Sequence, residues 1–196
     1  VGTEEEVHIL GGSTDTIAAL RAIRAQSKAL LGCKRGPLGC VAFPDAIPDQ
    51  LDQGVVGQGF SVEVFNVLGA GDAFMAGFLR GWLRNEPLST SCSYANACGA
   101  IVVSRHGCSP AMPTWEELQQ FLASKAPPFR LRDDTALEQT HWATTRTGEW
   151  PRLTVLAMDH RSQFEALCEK TGADPARNRA FKALALQAVD RLAQGD

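Results

Sequence analysis

The stretch Asn66-Val67-Leu68-Gly69-Ala70-Gly71-Asp72-Ala73-Phe74 has residue types and spacing that can do chemistry. Two glycines flank one small residue, between an apolar segment and a helical pattern, so several backbone N–H groups can converge on one point. The positive end of the helix adds to that point and makes it an anion hole suited to a phosphate. Asp72 stands where a carboxylate can take a proton from an attacking hydroxyl. Taken alone, the same residues also fit an ordinary tight strand-to-helix turn with Asp72 as its N-cap. Two other nucleotide patterns fail on spacing. G-x-G-x-x-G needs a small residue where Phe74 stands, and no G-x-x-x-x-G-K-[ST] occurs.

The elements that must hold this turn are legible on both sides of it. Val62–Val67 reads as the strand leading in, and a helix is expected from Ala73 to about Arg84, with Pro87 closing it. Ala73, Gly77 and Gly81 recur every fourth residue and give that helix one face small enough for close packing. A second helix is expected over Ser91–Ser104, and a third from Thr114, where Thr114-Trp115-Glu116-Glu117 has the form of a capping box. Upstream, the apolar segment Val7–Leu10 stops at Gly11-Gly12, and Ser13 is placed to cap a helix carrying Ile17, Leu20 and Ile23. Ala29–Cys33 and Cys40–Phe43 read as a hairpin around Lys34-Arg35-Gly36-Pro37-Leu38-Gly39, and Pro44–Gly59 as loop.

Three further segments share the order of the Gly-Ala-Gly-Asp turn: Lys34–Gly39 before it, then Tyr94-Ala95-Asn96-Ala97-Cys98-Gly99 and Ser104-Arg105-His106-Gly107-Cys108 after it. On residue type alone Asn96 fits a helix polar group bonded to a nearby loop, Arg105-His106 a solvated helix end, and Glu4–Glu6 an exposed acidic turn. Together the four segments resemble the C-terminal half of the ribokinase-like (PfkB) carbohydrate kinases over about residues 1–125. The longer stretches point to the family's inositol-pathway branch.

The resemblance implies an α/β fold, the C-terminal nucleotide-binding part of a three-layer αβα sandwich. It implies Asp72 as catalytic base, and the amides of Gly69, Ala70 and Gly71 as the anion hole. It places Lys34, Gly36 and Gly39 on the ATP loop, Asn96 and Gly99 beside the adenine, and Glu6 near the Mg²⁺–phosphate site. ATP, Mg²⁺ and a small-molecule sugar-acid substrate are the implied ligands, and no protein-held metal site is expected. Two positions depart from the family. Thr3 replaces the Asn of its N-x-x-E motif, and Asn66-Val67 stands where many relatives carry Asp-Thr beside a monovalent cation.

From Pro127-Pro128 the character changes. A polar, Thr-rich stretch follows, and the sequence divides into a kinase part (1–128), a linker (129–150) and a further piece (151–196). In that piece Leu153–Met158 reads as a strand ending in Asp159-His160-Arg161, with helical patterns over Gln163–Lys170 and Asn178–Leu192. It resembles the opening of an aldolase-like TIM-barrel, (β/α)₈, domain (the DUF2090 family), in which Asp159 and Arg161 would lie at the strand's C-terminal end. A strand–helix–helix piece of that length cannot hold a core alone. The chain begins with Val1 rather than Met, directly before the acidic motif, and is expected to be part of a longer protein.

Composition fits this reading. Hydrophobic residues make up 44% of the 196, charged residues 21%, with a formal charge of −3. Residues 1–128 carry 9 Lys/Arg against 12 Asp/Glu, so no basic surface exists for nucleic acid. No apolar run approaches the ~18 residues of a membrane span, and no signal peptide opens the chain. Six scattered cysteines without a C-x-x-C pair read as reduced thiols of a cytoplasmic protein. Homo-oligomerisation of a full-length protein is left open, as are another ribokinase-like substrate (a ketosugar, 2-keto-3-deoxygluconate, a nucleoside) and a non-catalytic relative of the fold.

Overall fold

The computed structural model describes residues 1–124, 127–145, 158 and 162–193. Two compact units divide the chain, Val1–Thr147 and Gly148–Asp196.

The first unit is built on a four-stranded sheet in the order β1 (Gly2–Thr3), β2 (Leu31–Lys34), β3 (Cys40–Phe43), β4 (Val55–Gly57). β1 pairs parallel with β2, while β2–β3 and β3–β4 are antiparallel. The expected hairpin forms, with Lys34 opposite Cys40 at its turn end. Alternation along β3 sets the layers, because successive side chains leave a strand on opposite faces. Val41 and Phe43 join Val7, Ala19, Leu20 and Cys33 beneath α1 (Glu4–Gly11) and α2 (Thr16–Gln26). Cys40 and Ala42 join Phe74, Phe78, Cys92 and Ala95 beneath α3 (Ala70–Trp82) and α4 (Leu88–Val103). The result is helix, sheet, helix: the three-layer α/β sandwich that was expected. Side chains such as Leu20 and Phe43, almost wholly buried, each contribute about 1.5–3 kcal/mol to it.

Local chemistry moves several boundaries. Val7–Leu10 ends an α-helix that begins at Glu4, because Thr3 and Glu6 form a capping box and Gly12 closes the other end in the left-handed region. α2 is capped by Asp15, not Ser13: Asp15 Oδ1 accepts the Ala18 N–H at 2.7 Å, and Ser13 Oγ instead accepts the Asp15 N–H. Within the expected loop 44–59, Val55–Gly57 pairs with β3 as a fourth strand. Val62–Val67 is not a strand. Its amides go to single carbonyls, Glu63 N–H to Phe129 and both Phe65 and Asn66 N–H to Val103, so no ladder forms.

α3 and α4 pack along the small-residue face read from the sequence. A Cβ on Gly77 would lie 2.5 Å from the Tyr94 carbonyl oxygen, and one on Gly81 2.5 Å from Ser91 Oγ. A third core joins α4 to α5 (Trp115–Ala123), whose Thr114–Glu117 capping box forms as expected. The stretch read as linker holds a helix, α6 (Thr135–Thr145), whose Leu137 is buried in that third core beside Leu131. All six cysteines are free thiols, five of them buried.

In the second unit α7 (Ser162–Thr171) and α8 (Arg177–Ala193) form where helices were expected, joined by the Phe164–Phe181 ring contact and by Cys168 Sγ–H donating to Asn178 Oδ1. The strand proposed at 153–158 lies outside the described residues except for Met158, and Asp159 and Arg161 lie outside them altogether. Among the described residues no helix is long and apolar enough to cross a membrane.

Candidate nucleotide-binding site

A cavity of about 550 Å³ opens between the end of β2, the start of α3 and the flank of α4. Lys34, Gly36, Gly39, Ala70, Gly71, Asn96 and Gly99 line it, which brings together seven of the ten residues singled out from the sequence. Phe60, Ser61, Val62 and Val64 supply an apolar wall that sequence reasoning missed, since those residues had been read as strand and the loop before it.

The floor is the turn into α3. This helix starts at Ala70, three residues earlier than expected, so the Gly-Ala-Gly-Asp motif is its N-cap and first turn. The N-cap is Gly69 at φ +83°, a conformation that favours glycine. Close approach excludes a side chain there as well, because a Cβ would lie 2.5 Å from Cys108 Sγ. Ala70 N–H is taken by the Val67 carbonyl at 3.2 Å, and Ala73 N–H by Gly69. Among the described residues the amides of Gly71 and Asp72 meet no backbone acceptor outside the helix. Such orphan donors at the positive end of a helix are what an anion binds. Asp72 caps nothing. It sits at the third helical position, exposed to solvent.

Lys34 brings a cation to the same point. Its Nζ lies 3.7 Å from the position of a Gly71 Cβ, 4.0 Å from Glu6 Oε2 and 5.9 Å from the centre of the Phe74 ring. Glu6 is anchored by Thr3, whose N–H donates to Oε2 at 2.6 Å. That bond, the Thr3 hydroxyl and the Lys34 charge hold its carboxyl below the usual range. Thr3 thus fixes the glutamate with its backbone N–H on the carboxylate and its hydroxyl on the Glu6 N–H. The rim is the 3₁₀ turn Gly36–Leu38, closed by Gly39 N–H donating to the Gly36 carbonyl. Gly39 has φ +87°, and a Cβ there would collide with the backbone of Gly57 and Gly59.

Asn96 donates from Nδ2 to the Gln58 carbonyl at 3.0 Å and so ties α4 to the cavity's loop wall while lining the cavity itself. Arg105 is not a solvated helix end. It is mostly buried and ion-paired with Glu117 at 2.5 Å, a contact with a residue twelve positions on that sequence spacing does not announce.

Two family models match the chain. Residues 1–115 match the pfkB family carbohydrate kinases, and residues 117–196 match DUF2090, an uncharacterized protein conserved in bacteria. The chain belongs to the pfkB family of carbohydrate kinases. Among curated relatives, it is 29% identical over 126 residues to the 5-dehydro-2-deoxygluconokinase of Geobacillus kaustophilus, covering 62% of this chain and 36% of the relative. It is 42% identical over 67 residues to the ATP-dependent ribose-1-phosphate kinase of Halopiger xanaduensis, covering 34% of this chain and 22% of the relative. Among solved structures, fructokinase from Vibrio cholerae with fructose, ADP and calcium bound superposes with a TM-score of 0.53 at 28% identity, over 61% of this chain and 39% of that one. Aminoimidazole riboside kinase from Salmonella enterica, in complex with its riboside and an ATP analogue, gives 0.53 at 27% identity over 62% and 41%. The chain therefore spans between a quarter and little more than a third of the length of the curated 5-dehydro-2-deoxygluconokinases it matches.

Proposed function

We propose that the first unit is the nucleotide-binding part of an ATP-dependent kinase that phosphorylates 5-dehydro-2-deoxy-D-gluconate on its primary hydroxyl. The observation that carries this reading is the meeting, in one cavity, of Lys34, the Gly36–Gly39 rim and the Gly-Ala-Gly turn with its two open amides. The sugar acid is chosen because six relatives at 28–34% identity carry that kinase's name.

In this mechanism Asp72 takes the proton from the acceptor hydroxyl as its oxygen attacks the γ-phosphorus of ATP, and ADP leaves with the bond electrons. Lys34 and the amides of Gly71 and Asp72 stabilise the charge on the phosphoryl oxygens. Catalysis is then mostly positioning and electrostatics. Mg²⁺ enters with ATP as part of the substrate. Among the described residues no group of three or more His, Cys, Asp or Glu could cage a metal ion, and an ion held mainly by phosphates and water needs only one or two carboxylates. Glu6, fixed beside Lys34, is the carboxylate within reach. Retro-aldol cleavage of the phosphorylated product by the unit that follows belongs to the same proposal, and its support is the succession of the two family matches along one chain.

The test is ADP release by the kinase carrying this chain, assayed with 5-dehydro-2-deoxy-D-gluconate, fructose, 2-keto-3-deoxygluconate and a nucleoside. Turnover is expected with the first. Turnover only with another acceptor would reassign the substrate, and ATP binding without turnover on any would favour a non-catalytic relative.

A further inference from the structure

Glu117, on α5, is fully buried, and three groups meet its carboxylate: its own helix's N-cap and side chains from the loop after α4 and from α6. Arg105 Nη2 donates to Oε1 at 2.5 Å, Thr114 N–H donates to Oε2 at 3.0 Å, and His141 Nδ1 lies 2.7 Å from Oε2. His141 Nε2 lies 3.0 Å from the Pro110 carbonyl oxygen, and Arg105 Nη1 reaches the Ala111 carbonyl at 3.5 Å. A buried carboxylate persists only with such partners, so the cluster holds its members in one arrangement.

What the cluster grips is the loop 104–111, and the other side of that loop builds the anion hole. The Gly107 carbonyl accepts from Asn66 Nδ2 at 3.0 Å, and Asn66 Oδ1 accepts the Leu68 N–H at 3.1 Å. Cys108 Sγ sits against Gly69 itself. Between the loop and α6 lies a second cavity, of about 760 Å³, lined by Arg105, His106, Pro110 and His141 among others. Across that gap the polar contacts of His141, rather than continuous packing, brace the loop.

His141 belongs to the segment matched by DUF2090, and Arg105 to the segment matched by the kinase family. We propose that α6 is a working part of the kinase unit and that His141 is a positioning residue for the anion hole. It touches no substrate and acts through Pro110 and the Glu117–Arg105 pair on the loop that supports Asn66 and Gly69. The link to phosphate rests on the nucleotide-site reading above; the link between His141 and the turn does not.

The experiment compares the wild-type chain with His141→Ala and with His141→Gln, which keeps a donor, by amide hydrogen exchange and ATP titration. His141→Phe, which keeps the ring's volume, replaces the alanine variant if that one does not fold. Exchange of the hydrogen-bonded amides of Leu68, Ala70, Arg105 and Ala111 should rise at least about tenfold in the alanine variant while the far end of α3 and all of α2 stay unchanged, and glutamine should recover most of the protection. ATP affinity should fall about three- to tenfold in parallel. Faster exchange confined to α5 and α6, or an equal rise everywhere, would overturn the proposal, as would unchanged ATP affinity in a wild-type chain that binds ATP. Absence of ATP binding by the wild type would instead refute the nucleotide-site reading, and the exchange pattern alone would then decide the positioning role.

Discussion

Gly71→Ala separates what the turn does for folding from what it does for binding. Gly71 is not in the left-handed region, and the nearest atom to a Cβ built there is Lys34 Nζ at 3.7 Å, an ordinary contact at the end of a flexible side chain. The fold therefore accepts the methyl, and replacing glycine in a helix gains up to about 1 kcal/mol. The same methyl stands 3.7 Å from the ammonium of Lys34, in the space beside the open amides where the proposed phosphate oxygen would sit. Losing one charge-assisted hydrogen bond costs about 1.5–3 kcal/mol, which is roughly ten- to 150-fold in affinity. Isothermal titration with ATP, paired with thermal melting, reads both effects: binding weakened by that factor at an unchanged or raised melting temperature. Gly69→Ala is the control. With φ +83° and Cys108 Sγ 2.5 Å from the new Cβ, it should lose about 1–3 kcal/mol of stability. A Gly71→Ala chain that binds ATP like the wild type, or that melts lower, would refute the assignment of this turn as the anion hole.

Three further outcomes are expected. Asp72→Asn in the kinase carrying this chain should lower turnover by orders of magnitude while ATP binding persists, as steady-state kinetics and titration would show; equal turnover would remove Asp72 as the base. Gly77→Ala should destabilise the first unit by about 1–3 kcal/mol in urea melts despite its helix propensity, because the new methyl meets the Tyr94 backbone at 2.5 Å. Burial, with the nearby Glu4 charge, pushes the Cys33 thiol up to about 11, and burial with Glu117 pushes Cys98 to about 12, from an ordinary 9.0. The unfolded chain thus releases these protons first, so the stability they carry is whole below pH 9 and is lost as pH rises toward 11–12. Melting temperature should fall over that range, and Cys98→Ala should flatten the slope; an unchanged slope would refute the attribution.

The turn at residues 66–74 was more legible in the sequence than the elements around it. Residues 66–74 could be read locally because two glycines, a small residue and a helix start fall within one turn. The β2–β3 hairpin and the α3–α4 seam were equally visible, the first from its glycine-bracketed turn and the second from Ala73, Gly77 and Gly81 on one face. Val55–Gly57 escaped notice because a three-residue strand flanked by glycines has no alternation to detect, and it owes its place to pairing with β3. Val62–Val67 reads as a strand, but its amides donate singly to the Phe129 and Val103 carbonyls, so tertiary context overrode the pattern. α6 buries Leu137 alone and leaves Ala136, Trp142 and Ala143 off the core, so its periodicity is faint and its packing is invisible locally. Arg105 looked solvent-bound for the same reason, since its partner Glu117 lies on another helix.

The hydrogen bonding around Gly69–Asp72 argues for a ligand on grounds independent of any resemblance. The first N–H groups of any helix lack intrahelical partners and turn to side chains, water or a ligand. Here the polar groups on every side of the turn are used: Val67 carbonyl by Ala70, Asn66 by Gly107 and Leu68, Glu6 by Thr3. The amides of Gly71 and Asp72 are left open, with the Lys34 ammonium held beside them. Holding a glycine at φ +83° against Cys108 while leaving those donors unmet concentrates positive potential at one point of a concave surface. An anion at that point would answer the open donors and the ammonium at once, and a phosphate group has the oxygens to meet two amides and an ammonium together.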